Sequence, residues 1–329
     1  MHPELFEIPI LHLTVKSYGF MMVLGFLAAV TIIRHLSRRF TRDPQHITNA
    51  ALYALIAGVA GARAFFVIHY PDQFRDNWGG LFAIWNGGLE LLGGVAAAVA
   101  VILLYIRHHK LPMRHYLDVL AVGLTAALMF GRIGCFLNGC CYGKPTELPW
   151  GVRFPYGSYA YDSQVKADPD RNRLEPHLRL PDEFFGYTDE RGDYIPGLKP
   201  FKYLAPAQQE QVLHGDYRCE PVHPTQLYAS GGAALLGLIL YGVWRRSQKA
   251  ELAGRYGFLT QPGVTFSVMF ILYGIMRFIL EMLRDDNPFE TAGLTISQIL
   301  GLGLSVLGIV LVLVFSRIRP EKLPPASSK

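Results

Sequence analysis

The chain has 329 residues, of which 51% are hydrophobic and 17% charged, with a formal net charge of +5. Its apolar residues arrive in long blocks, which excludes an ordinary water-soluble domain and describes an all-α polytopic membrane protein embedded in a lipid bilayer. The positive balance follows from loop charges that report topology, so no nucleic-acid partner is implied.

The segment from Met1 to Val15 alternates acidic and apolar residues and has neither a basic n-region nor a small-residue cleavage site. No cleaved signal peptide is expected. Seven apolar blocks follow, at about 18–33, 50–67, 87–106, 116–137, 227–244, 263–283 and 295–316. Each is long enough as a helix to cross roughly 30 Å of hydrocarbon. Basic residues cluster after alternate blocks: Arg34, Arg38, Arg39 and Arg42; Arg107, Lys110 and Arg114; Arg245, Arg246 and Lys249; Arg317 and Arg319. Loops rich in Lys and Arg stay inside, so the N-terminus is expected outside and the C-terminus inside.

The expected organisation is a membrane domain over 1–143, an external polar segment over 144–222, a second stretch of membrane domain over 223–319, and a disordered tail over 320–329. The polar segment carries Asp-Pro, Pro-Asp and Pro-Gly turn signals and is too long for a tight hairpin.

This topology gives every intramembrane charge a depth. Arg63 lies near the end of block two, Glu90 opens block three, Arg132 lies near the end of block four, and Arg277, Glu281 and Arg284 lie towards the end of block six. All six fall in the outer half, level with Tyr18, Asn86, His223, Gln226 and Tyr228, whereas Asp118 falls near the inner end of block four. Snorkelling at the interface accounts for some of these. It does not account for Arg132 and Arg277, which further apolar residues follow, and a hydrated cavity opening outward explains more.

Tyr273, Arg277, Glu281 and Arg284 are spaced four, four and three, which puts them on one helical face. An Arg277–Glu281 pair leaves Arg284 and Arg132 as excess positive charge, with Arg63 adding to it. An anionic lipid headgroup would supply the counter-charge.

Glycines crowd the same level. Gly58 and Gly61 suit close helix packing, whereas the run from Gly131 to Gly143 suits a ligand loop as well as it suits packing. The spacing of Cys135, Cys140 and Cys141 is a poor match to a zinc site. No metal or cofactor is expected, and these cysteines read as structural, with a disulfide to Cys219 as the alternative.

The motifs Gly131-Arg132-Ile133-Gly134 with Asn138-Gly139 and Gly143, His223-Pro224-Thr225-Gln226-Leu227-Tyr228, and Tyr273-Gly274 with Arg277, Glu281 and Arg284 resemble the signature blocks of bacterial prolipoprotein diacylglyceryl transferases. Trp85-Asn86-Gly87-Gly88, Gly93-Gly94, Arg63 and Tyr18-Gly19 match in order as well. The resemblance implies a transferase of the bacterial plasma (inner) membrane with its site towards the outer face. Such an enzyme moves the diacylglyceryl group of phosphatidylglycerol to the lipobox cysteine thiol of a prolipoprotein.

Together with the charge pattern it gives Arg132 and Arg277 to the phosphate, with Glu281 orienting Arg277. Arg284, Arg63 and Glu90 are expected near the headgroup or gate. Tyr273, Asn138, Tyr18 and Gly143 are expected among the lipid-binding groups.

The resemblance departs at three positions. Leu92 stands where the family commonly has His, Cys135 where it has Asn, and Cys140 where it has Glu. The missing His matters because a free thiol, with pKa about 8.5, is only a few per cent thiolate at neutral pH. Glu90 or His223 could substitute as base. A non-catalytic lipid-binding or lipid-transporting protein of the same fold is the alternative that Leu92 favours.

Overall fold

The computed structural model describes residues 4–8, 13–41, 43–74, 78–82, 87–189, 192–289 and 293–319. The tail at 320–329, Arg42, Trp85 and Asn86 lie outside the described residues. The chain runs β1 (Glu4–Ile8), β2 (Leu13–Lys16), α1 (Ser17–Ser37), α2 (Gln45–His69), α3 (Leu91–His108), α4 (Met113–Asn138), α5 (Tyr159–Gln164), β3 (Phe185–Thr188), β4 (Tyr194–Leu198), α6 (Pro206–Leu213), α7 (Thr225–Leu252), α8 (Val264–Leu283) and α9 (Ile296–Arg317). Seven of these helices, α1 to α4 and α7 to α9, are long and apolar enough to cross a membrane. The protein is a mostly helical, multi-pass membrane protein. The expectation of an all-α chain is qualified by two small antiparallel strand pairs, β1 with β2 and β3 with β4.

Each of these seven helices coincides with an apolar block, and most run a few residues past it. Block three is the main correction. Gly87 and Gly88 have positive φ (86° and 71°) and Glu90 is extended. The helix therefore begins at Leu91, one residue after Glu90. At the other end of α4, Gly139 has φ 77°. Its N–H reaches Phe136 O at 3.2 Å while Cys140 N–H reaches Cys135 O at 3.2 Å. This is a Schellman ending, in which a glycine supplies the left-handed residue that turns the chain off the helix.

The chain forms two compact units. One comprises Met1–Leu27, Leu124–Tyr241 and Ser267–Leu311, and the other Ala28–Gly123, Gly242–Phe266 and Val312–Lys329.

In the second unit α2 packs on α3 through small residues. A Cβ on Gly61 would stand 2.4 Å from Ala97 Cβ and 2.7 Å from Gly93 O. Asp118, fully within α4, answers to the start of α8: Oδ2 accepts from Gly263 N at 2.8 Å and Oδ1 from Phe266 N at 2.9 Å. The acid therefore caps a helix N-terminus whose amides have no intrahelical acceptor. Each such charge-assisted bond is worth about 1.5 to 3 kcal/mol.

In the first unit α8 meets α9 at Gly274, where an added Cβ would lie 2.3 Å from both Gly301 O and Ser305 Oγ. Only glycine permits that approach. The polar segment between α4 and α7 has hydrophobic clusters of its own. Tyr142, Phe154, Ala160, Tyr161, Cys219 and Val222 make one, and Phe184, Leu204 and Val212 another. Tyr161, wholly buried, donates its hydroxyl to Tyr217 O at 2.7 Å.

Candidate active site

The site in the first unit is built on the end of α8. Glu281 has a fully buried side chain, and Arg277 Nη2 stands 3.1 Å from its Oε2. Arg284 Nη1 lies 3.7 Å from the same oxygen. The other carboxylate oxygen accepts from Asn287 Nδ2 and, at 3.2 Å, from Thr295 Oγ1. Arg277 Nη2 also donates to Ser297 Oγ at 2.6 Å. The i, i+4 and i, i+3 spacings bring the charges onto one face, and α9 supplies the hydroxyl because Gly274 and Gly301 allow it close.

Arg284 has a stronger partner than Glu281. Its Nε and Nη2 donate in parallel to Asp286 Oδ1 and Oδ2 at 2.7 and 2.6 Å. Burial alone would lower this guanidinium, but the hydrogen bonds and charge of Asp286 prevail and raise it above its ordinary value. Sequence reasoning missed Asp286 and so counted Arg284 as excess charge. The signal available was an Arg-Asp-Asp run at the helix end.

The excess falls on Arg132. Half-buried near the end of α4, it has no hydrogen-bond or ion-pair partner among the described residues. Arg277 lies within electrostatic reach of Arg132, Tyr273 and Arg284. Three guanidiniums against Glu281 and Asp286 leave one positive charge to be matched.

The loop after α4 is fastened from α7. Thr225 Oγ1 donates to Cys141 O at 2.7 Å and Gln226 Nε2 to Cys140 O at 2.7 Å. His223 turns its ring to the Tyr228 hydroxyl at 3.4 Å, and that hydroxyl accepts from Trp150 Nε1 at 2.7 Å. Gly143 sits where three strands of chain meet. Its N–H donates to His223 O at 3.1 Å, and a Cβ there would come within 2.6 Å of that oxygen and 2.8 Å of Leu283 O. Its amide is thus spent on structure, not offered to a ligand.

Asn138 lies beside the Cys140 side chain. Tyr18, 42% exposed, lies within electrostatic reach of Cys135, Cys140, Cys141 and Arg132.

All four cysteines are free thiols. Cys219 is buried and donates to Gln164 Oε1 at 3.4 Å. Burial pushes this thiol up to about 11. Spacing spoke against a metal site, yet the folded chain brings the sulfurs of Cys135, Cys140 and Cys141 within 4.8 Å of one another. Hydrogen bonds from Cys135 and Cys140, then the charges of Arg284 and Arg132, lower the Cys141 thiol.

Arg63, Glu90 and Leu92 belong to the second unit. Arg63 is no free charge. Its Nε donates to Leu81 O at 3.0 Å, Nη1 to Gly87 O and Gly88 O at 2.8 Å each, and Nη2 to Gly80 O at 2.6 Å. It clamps the loop ahead of α3 and lies over the Phe66 and Phe74 rings at 5.5 and 5.2 Å. Glu90 pairs with His69, whose Nδ1 is 2.7 Å from Oε2, and not with Arg63. Leu92 is an apolar side chain, 68% exposed.

Fold and site together define a polytopic helical membrane protein with a half-buried centre of arginines around Glu281. The chain belongs to the prolipoprotein diacylglyceryl transferase family, which it matches over residues 3–314. It is 29% identical to the phosphatidylglycerol–prolipoprotein diacylglyceryl transferase of Clostridium tetani, over 94% of this chain and 96% of that protein. It is 32% identical to the enzyme of that name from Stenotrophomonas maltophilia, over 94% and 90%. With that from Rhodopirellula baltica it shares 29%, over 93% and 73%.

Proposed function

We propose that this protein transfers the diacylglyceryl group of phosphatidylglycerol to the lipobox cysteine of prolipoproteins at the outer face of a bacterial inner membrane. The observation that carries this reading is Arg132, a half-buried guanidinium without a partner among the described residues, beside the Arg277–Glu281 pair. A phosphodiester brings the missing negative charge.

Arg132 and Arg277 bind the phosphate and neutralise the charge that grows on it as the acceptor sulfur attacks the glyceryl carbon and glycerol phosphate leaves. Glu281 holds Arg277 in place. Tyr273 and Asn138 hydrogen-bond phosphate or glycerol oxygens, with Tyr18 beside them. An apolar groove of about 340 Å³ along α7 and α8, with Leu235, Ile239, Leu272, Ile275 and Ile279 on its walls, takes an acyl chain. The segment over 144–222 is an extramembrane subdomain beside this site.

The test is rescue of a bacterium depleted of its own transferase, with mass spectrometry of a lipobox cysteine. A thioether-linked diacylglyceryl group is the expected product, and an unmodified cysteine would overturn the reading.

The orientation is proposed as N-terminus out and C-terminus in, on the strength of the basic clusters at the C-terminal ends of α1, α3, α7 and α9. Lys249, exposed near the end of α7, serves as the probe. A Lys249→Cys variant is expected to react with an impermeant thiol reagent only after the membrane is opened. Labelling of intact cells would reverse the orientation.

A further inference from the structure

We propose that Cys135, Cys140 and Cys141 bind a zinc ion whose open fourth position takes the acceptor thiol and activates it. The inference rests on the transferase reading and deepens it. It starts from geometry: the three sulfurs lie within 4.8 Å of one another, all half-buried and none in a disulfide. Three thiolates about 2.3 Å from a tetrahedral zinc stand roughly 3.8 Å apart, so side-chain rotation of less than about an ångström closes the site.

The arrangement is held by the fold. Cys135 is on the last turn of α4, the Schellman turn at Gly139 returns Cys140 towards it, and Cys141 adopts a left-handed conformation with φ 60°. The carbonyls of Cys140 and Cys141 are pinned by Gln226 and Thr225.

Charge fits as well. Zinc with three thiolates carries one negative charge, and the guanidiniums of Arg284 and Arg132 stand within electrostatic reach of Cys141. Access fits too. Cys140 and Cys141 line a cavity of about 400 Å³ whose polar walls include Lys166, Arg171, Arg173 and Asp286. Three protein ligands with an open fourth position mark a catalytic rather than a structural zinc site.

The chemistry answers the missing histidine. A thiol that coordinates zinc is deprotonated outright, its proton passing to solvent. The sulfur electron pair then forms the bond to the glyceryl carbon, and the carbon–oxygen bond breaks with its electrons leaving on glycerol phosphate. The neutral thioether product is a weaker zinc ligand than a thiolate and departs, leaving the position open. Cys135 and Cys140 stand where the family commonly has Asn and Glu, so the loss of His at position 92 and the gain of thiols occur in the same chain.

The test uses the full-length protein purified in detergent under reductant. Zinc is measured by mass spectrometry, and a cobalt-substituted sample is examined for thiolate-to-metal charge-transfer absorption. One zinc per chain is expected. The absorption should vanish in Cys135→Ser, Cys140→Ser and Cys141→Ser and persist in Cys219→Ser. Chelation should slow transfer to a lipobox peptide by about a hundredfold, the scale of a lost general base, and added zinc should restore it.

Full transfer by the metal-free protein would overturn the inference and leave the transferase reading intact. So would a cobalt spectrum without thiolate bands, or a disulfide among the three cysteines in the active protein. A zinc-loaded protein that fails to modify any lipobox cysteine would overturn both.

Discussion

Replacing Arg132 with alanine is expected to slow diacylglyceryl transfer roughly ten- to a hundredfold while leaving the melting temperature in detergent unchanged. A charge-assisted hydrogen bond is worth about 1.5 to 3 kcal/mol. One that strengthens as charge gathers on the leaving phosphate enters the barrier directly, at about 1.4 kcal/mol per factor of ten. The stability half of the prediction follows from the absence of any partner for this guanidinium among the described residues.

Arg277→Ala should lose activity on the same scale but also soften the fold, because it strips Glu281 of the guanidinium at 3.1 Å and orphans Ser297. Arg277→Lys should recover only part, since a point charge cannot serve phosphate, carboxylate and hydroxyl as a planar fork does. Steady-state rates with phosphatidylglycerol and a lipobox peptide, beside thermal melts, check both. Near-wild-type turnover in either alanine variant would remove the arginines from the mechanism.

The helices were legible because each is a long apolar block, and hydrocarbon leaves the backbone no alternative to internal hydrogen bonds. What escaped was local. The 87–106 block reads as helix throughout, but two glycines with positive φ break it before Leu91. Glu90 therefore lies off the helix, and no helical angle relates it to Leu92.

The α8 stripe was legible from its spacing, whereas the partners of its charges were not, since Asp286, Asn287 and Thr295 belong to no periodic pattern. Arg63 shows the same limit from the other side. Its depth suggested a ligand, yet backbone carbonyls can absorb a guanidinium as fully as a phosphate does, and sequence says nothing of which carbonyls a loop will present. The cysteine cluster is the case where spacing was silent. C-x4-C-C does not announce that a Schellman turn, not a tight hairpin, gathers three sulfurs within 4.8 Å of one another.

Glu281→Ala is expected to be the most damaging single change, costing about 3 to 5 kcal/mol of stability, since removing one member of a buried ion pair leaves the other charge buried and uncompensated. Here the carboxylate, with no exposed side-chain surface, answers to two guanidiniums, at 3.1 Å for Arg277 and 3.7 Å for Arg284. Asp286 still holds Arg284 through its bidentate pair, so the uncompensated charge is that of Arg277.

Glu281→Gln should be milder. Its amide oxygen can keep the Asn287 and Thr295 bonds while the charge is lost, and the variant should fold with Arg277 less well held. The two substitutions therefore separate structure from positioning. Glu281→Gln is expected to lower kcat with little change in melting temperature, and Glu281→Ala to lower both. A double-mutant cycle between Arg277→Ala and Glu281→Ala should show a coupling of about 1 to 3 kcal/mol in stability, because each removes the other's partner. Additive effects would mean that the two side chains do not rely on one another, and Glu281 would lose its place as the residue that positions Arg277.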